Sequence, residues 1–243
     1  MFQITKKSEY KDGFRKGIPI GAGYLAVSFS FGIWAVSSGV PVWLTTLTSA
    51  SNLTSAGQFA GVGLMVAGAS LIEIGLSVFI INIRYMLMSL ALTQKLQPGI
   101  KLYQKLIFGF GVTDEVFAIA STREREITAH YMYGLITTPI IGWTLGTFLG
   151  AALGNILPPR LGDAMGIALY AMFVAIIIPP AKKNLSIFGA IAISVAVTCF
   201  IKYVPFCHKI TEGFAMIIAT FAGAGIMAWL KPIDEGEQKV TQD

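Results

Sequence analysis

Four ionisable side chains stand inside or against long apolar stretches of this 243-residue chain. Glu73 lies in GASLIEIGLS, Arg84 in FIINIRYML, and Asp114 and Glu115 are adjacent in GFGVTDEVFAIAS. An ionisable group at membrane depth costs about 2.5–3.5 kcal/mol on insertion scales, so it faces a pathway, a partner or an interface. A carboxylate in such a place can carry a proton or hold an ammonium, and a guanidinium can fork onto a carboxylate. Glu73 is the deepest acid along the sequence. It suits a proton carrier or ammonium partner, or a protonated structural tie to a neighbouring helix. Arg84, with Asn82, suits a substrate carboxylate, or an interfacial anchor whose stem lies along apolar surface.

Asp114 and Glu115 follow Thr113, which has the character of a helix N-cap. Acids in a first turn are favoured by the positive end of the helix dipole, and this needs no ligand. If the segment turns back within the protein, the same helix start makes a cation, proton or ammonium site. Gln58 stands behind Asn52, Thr54 and Ser55. This polar cluster reads either as a broken helix lining a ligand site or as a loop in which Ser55 caps and Gln58 completes a capping box. Arg123, Glu124, Arg125 and Glu126 read as a solvated, self-paired loop, and Asp163 and Glu212 as interfacial.

The elements that must position these groups are membrane helices. The chain is 54% hydrophobic and 13% charged, with a mean hydropathy of +0.68; soluble domains carry about 25% charge. A bilayer span needs about 20 apolar residues because each backbone polar group must bond within its own segment. The expected fold is therefore all-α and polytopic. Residues 1–16 form a basic tail on the cytoplasmic side, 17–230 a transmembrane domain and 231–243 a polar tail. The first apolar run exceeds a signal-peptide core and is expected to be retained. The net charge of +5 sits at segment ends, which reads as topology and not as nucleic-acid binding. Cys199 and Cys207 form neither a metal motif nor a disulfide framework. No metal or cofactor is expected. Without a P-loop, a G-x-S-x-G motif or two deep aspartates, no enzyme is expected either; His130 and His208 lie near segment ends.

Seven strong apolar segments cover residues 17–38, 58–81, 106–121, 129–153, 164–178, 185–201 and 213–230. Residues 42–50 and 85–92 are weaker. With all seven spanning, 12 of the 18 basic residues lie on the cytoplasmic side. If 106–121 enters and leaves on that side, the number rises to 15, with Arg160, Lys202 and Lys209 outside. This favours a re-entrant or broken third segment, which Gly109 and Gly111 permit. A faint internal echo pairs Pro19 and the glycines after it with Pro139 and those after it, an offset of about half the chain, as duplicated transporters show. The copies would be parallel with a re-entrant segment and inverted with seven spans. Gly142, Gly146, Gly150 and Gly154 put a smooth stripe on one helix face, for packing inside the protein or against a separate subunit.

FGIWAVSSG, AGQF, NIRYMLMSLAL and above all GVTDEVFAIAS resemble the AzlC family, over roughly residues 13–229. The combination of N-[LI]-R-[HY] with TDE[AV][FY]A is the specific part. Tyr85 departs from it, since many relatives carry His there, so no relay role for that histidine carries over. The resemblance implies the large subunit of a bacterial branched-chain amino acid exporter of the cytoplasmic (inner) membrane, of the kind associated with azaleucine resistance. It implies a small AzlD-type membrane subunit as partner, and valine, leucine, isoleucine and methionine as substrates. With the residues read above, the expectation is a proton-coupled secondary transporter. Glu73, Asp114, Glu115, Gln58, Asn82 and Arg84 are the candidates for substrate binding or coupling. The alternative is a channel or a substrate-binding component of a larger membrane complex.

Overall fold

A computed structural model of the chain describes residues 6–154, 174, 177, 178, 181, 182, 184–204 and 210–231. Most of the expected segment 164–178, with Asp163, Cys207, His208 and nearly all of the C-terminal tail, lies outside these residues. Among the described residues there are nine helices: α1 Lys6–Ser37, α2 Val42–Ser51, α3 Ala56–Val66, α4 Leu71–Thr93, α5 Leu102–Gly111, α6 Asp114–Ser121, α7 Ala129–Leu153, α8 Leu185–Tyr203 and α9 Glu212–Leu230. The only extended pairing among them is an isolated bridge from Leu96 to Ile127. Among the described residues five helices are long and apolar enough to cross a membrane: α1, α4, α7, α8 and the Gly213–Leu230 part of α9.

Two of the seven apolar segments are broken: 58–81, which reads as continuous, and 106–121, for which the count of basic residues favours a re-entrant or broken form. Residues 58–81 divide because Gly68 takes a left-handed φ of +75° that closes α3, and the Ser70 side chain accepts the Glu73 amide to start α4. Residues 106–121 divide after Gly111, where extended Thr113 caps α6 through the Val116 amide. The weak stretch 42–50 forms α2, and 85–92 belongs to the interior of α4. The stretch assigned to an N-terminal tail is helical from Lys6 onward.

The glycine stripe of α7 is spent inside the protein. A Cβ at Gly142 would overlap the Gly21 carbonyl, one at Gly146 the Leu25 carbonyl, and one at Gly150 the Phe29 carbonyl. α1 answers with its own small residues: Gly13 lies on the backbone around Tyr131, Gly17 on that at Leu135, and Gly32 on that at Thr147. The contacts advance together along both helices, so α1 and α7 run parallel with their backbones almost touching. Small residues permit this approach where no hydrophobic effect drives helices together. Pro19 and Pro139, the two ends of the sequence echo, both lie inside these paired helices.

The other helices lean on this pair from its two ends. Near the C-terminal end of α1, Phe59 and Val62 of α3 pack with Phe31, Ala35 and Val40. α2 and α3 thus descend and return, reaching the level of Tyr85 where residues 52–55 break the helix: Tyr85 donates to the Thr54 carbonyl. Near the N-terminal end of α1, α5 rises past Tyr133 to Ile136 and α6 comes back. Lys95 then meets the Ser121 carbonyl, and Arg123 meets Glu9. The two breaks, at residues 52–55 and 112–113, approach each other beside Tyr24, with α4 between them.

Arg123 corrects the reading of its loop as solvated and self-paired. One of its amino groups donates to both oxygens of Glu9, at 2.9 and 2.8 Å, and its guanidinium lies 3.8 Å from the Tyr131 ring centre. Thr128 adds a hydrogen bond to the same carboxylate. The aromatic face and the hydroxyl offset the desolvation that makes a buried pair costly.

Candidate functional site

The charges of the site come from two helices. Arg84 sits midway along α4, where its Nη2 lies 3.0 Å from Asp114 Oδ2, and the two side chains are 42% and 39% exposed. Asp114 is the first residue of α6, held in place by the Thr113 cap. Its neighbour Glu115 accepts a hydrogen bond from the Tyr24 hydroxyl of α1. Arg84 also donates to the Tyr85 hydroxyl at 3.3 Å, and that hydroxyl reaches the Thr54 carbonyl at 3.4 Å. A continuous polar path therefore links the α2–α3 break, α4, the α5–α6 break and α1.

Beside this path is a cavity of about 470 Å³. Arg84, Asp114, Glu115, Tyr24 and Tyr85 form its polar side, Ile20, Val27, Trp143 and Ile177 its apolar side, and Ser55 and Ala56 the start of α3. Ser55 has a φ of +45° and makes no side-chain cap; the Gly57 and Gln58 amides at the start of α3 donate instead to the Thr54 and Ser55 carbonyls. A compact pocket with an apolar lining and a few convergent polar groups is the usual form of a small-molecule site. No group of three or more metal-ligating side chains occurs among the described residues.

The structure thus brings together three of the six sequence candidates: Arg84, Asp114 and Glu115. Asn82 lies two residues before Arg84 on α4, with its amide packed on Gly57 at the α2–α3 break, and its Oδ1 is buried without a partner. Gln58 stands behind the cavity wall and forms no capping box. Its amide donates to Ser49 and accepts from Trp143 Nε1 at 3.0 Å. Glu73 is in the first turn of α4, eleven residues from Arg84, roughly 16 Å along a helix. It is buried there, accepting from the Thr211 hydroxyl and the Gly213 amide at the start of α9. The reading of Glu73 as deep within one long helix fails because that helix breaks at Gly68, which puts Glu73 at a helix end. Tyr24 and Trp143 were not legible as site residues. Each is an aromatic in an apolar run, and only the neighbouring glycines Gly21, Gly23 and Gly142 hint that these rings face something close.

Broken helices whose ends carry charge, set among long apolar helices, are a recurring form of multi-pass membrane protein. The AzlC protein family model matches residues 19–157, from the middle of α1 past the end of α7, and the chain belongs to that family. The match contains every residue of the cavity lining except Ile177. Relatives include the inner membrane protein YgaZ of Escherichia coli, 27% identical over 73% of this chain and 76% of that protein. An uncharacterized membrane protein of Archaeoglobus fulgidus is 30% identical over 75% of this chain and 80% of its own length. One from Helicobacter pylori is 22% identical over 78% of this chain and 84% of its own. No solved structure matches the chain. It is a multi-pass helical membrane protein.

Proposed function

We propose that the protein is a secondary transporter that exports branched-chain, neutral apolar L-amino acids such as valine across the cytoplasmic membrane. It is driven by protons and works with a small AzlD-type membrane subunit. No catalysis and no cofactor enter this reading. The observation that carries it is the cavity between the two helix breaks, where an Arg84–Asp114 pair and Glu115 stand opposite Ile20, Val27 and Trp143.

An amino acid presents a carboxylate, an ammonium and a side chain, and the cavity has a complement for each. Arg84 can fork onto the carboxylate, Asp114 and Glu115 can hold the ammonium, and the apolar wall can cover the side chain. Arg84 and Asp114 neutralise each other. A zwitterion inserted between them exchanges one ion pair for two and leaves the net charge unchanged, so no lone charge is stranded at depth. A proton on Asp114 or Glu115 competes with the ammonium for the same oxygens. Substrate leaving in one direction and a proton entering in the other then use one site alternately, and export follows the proton gradient.

In this reading α2–α3 and α5–α6 are re-entrant hairpins entering from opposite faces. The parallel setting of α1 and α7 supports this, and with it Arg123 and Arg125 fall on the cytoplasmic side. Irregular backbone at membrane depth is tolerated where it is buried in protein or lines a cavity.

The test is reconstitution of the full chain in vesicles, with and without a candidate small subunit, following labelled valine under an imposed pH gradient. Saturable efflux that collapses with the gradient is expected. Nonsaturating, gradient-independent flux would support a channel instead, and substrate binding without flux a binding component of a larger complex.

A further inference from the structure

Gln58 does not line the cavity, yet it is among the most enclosed polar groups of the fold at 2% exposure. An indole N–H is a donor only, so Gln58 must turn its carbonyl oxygen toward Trp143 and its amide nitrogen toward Ser49. Ser49 in turn meets Thr147 Oγ1 at 2.6 Å. The chain of bonds leaves α7 at Trp143, crosses α3 and α2, and returns to α7 one turn later.

This fixes the rotation of one ring. The polar edge of Trp143 is spent inside the protein, so what it offers the cavity is apolar. Tyr24 packs against it edge-to-face, with ring centres 5.3 Å apart and planes at 73°. The Tyr24 hydroxyl holds Glu115. Trp143 is itself 1% exposed, and the glycine seam beside it closes α7 against α1. It has no room to swing aside for a larger ligand. A fixed wall across from a charged pair measures the distance from the ammonium and carboxylate of a ligand to the end of its side chain.

We propose that Trp143 is the specificity-determining wall for the substrate side chain and that Gln58 is the positioning residue that holds it, an inference resting on the transporter reading above. The wall admits aliphatic side chains up to the size of leucine and turns away aromatic ones. Gln58 touches no substrate and acts through the indole alone.

The experiment uses vesicles containing the full chain, with the small subunit where efflux requires it, and a panel of alanine, valine, leucine, methionine and phenylalanine. Trp143→Leu should raise phenylalanine transport relative to valine about tenfold, the scale of discrimination by pocket size. Gln58→Leu should shift the ratio in the same direction, and should add nothing in the Trp143→Leu background, since its effect passes through that ring. Equal loss for every amino acid in both variants would overturn the proposal. A second readout does not need transport. With Trp34, Trp43 and Trp229 replaced by Phe, the emission of Trp143 should change on Gln58→Leu, and unchanged emission would overturn the positioning role. If the unaltered protein moves none of the panel, it is the transporter reading that fails, and the emission measurement alone decides whether Gln58 holds Trp143.

Discussion

Glu9 and Arg123, 114 residues apart, form a nearly closed ion pair that ties the first turn of α1 to the loop before α7. Their side chains are 9% and 7% exposed, so neither charge has water to fall back on. Removing one partner of such a pair leaves the other stranded, at a cost of roughly 3–5 kcal/mol. Arg123→Ala or Glu9→Ala should lower stability in detergent by about that amount, read as a fall in the denaturant midpoint. Replacing both at once should cost less than the sum of the single changes, because no stranded charge remains.

The α1–α7 seam yields a sharper contrast. Gly142→Leu or Gly150→Leu would drive a side chain into the backbone of Gly21 or Phe29, which is fixed and cannot give way. These variants should fail to accumulate as monodisperse protein. Gly75→Ala, where an added Cβ meets nothing within 4 Å, should behave as the unaltered protein and gain a few tenths of a kcal/mol or more from helix propensity. Size-exclusion profiles of the purified variants check both.

The site predicts a demand for both charges of the substrate. Arg84→Gln removes the group proposed for the carboxylate and leaves Asp114 without its partner. A charge-assisted bond is worth about 1.5–3 kcal/mol, so apparent affinity for valine should fall roughly 10- to 100-fold. Valine methyl ester and isovalerate, each lacking one charge, should compete weakly against the unaltered protein. Competition curves in vesicles measure this, and isovalerate competing as well as valine would exclude the ammonium contact.

Local chemistry was the legible part of this sequence. Thr113 followed by two acids has the look of a helix start because a cap is decided within one turn, and it is one. Four of the seven apolar segments, 17–38, 129–153, 185–201 and 213–230, found α1, α7, α8 and α9, since apolar length is what a bilayer selects. The break at Gly68 was not legible, because a lone glycine in an apolar run is compatible with a continuous membrane helix, and only its left-handed φ reveals the turn. Partnership across distance was the other gap. Arg84 and Asp114 both stood out, but nothing in their spacing says that they meet. Arg123 looked paired with its neighbours because the buried Glu9 lies in a stretch that reads as a tail. Gln58 stood out as a polar group at the head of an apolar segment, yet it neither completes a capping box nor lines the cavity, and its hydroxyl and indole partners are contributed by other helices.

Glu73 and Asp114, two acids that the sequence treats alike, stand in different surroundings. Glu73 ties α4 to the first turn of α9, accepting from Thr211 and the Gly213 amide. That tie sits eleven residues along α4 from Arg84, and its carboxylate faces the positive end of α9. Glu73→Gln keeps an acceptor oxygen for both donors and loses only the charge, so it should cost about 0.3–2 kcal/mol of stability and leave the response of efflux to the pH gradient intact. Asp114→Asn keeps shape and hydrogen bonding at the cavity but removes the titrating group beside Arg84. It should retain exchange of labelled for unlabelled valine while losing acceleration by the gradient. Exchange and gradient-driven efflux measured in the same vesicles distinguish the two. If Glu73→Gln abolishes gradient dependence and Asp114→Asn does not, the proton path runs through the α4–α9 junction, and the central cavity is not where coupling occurs.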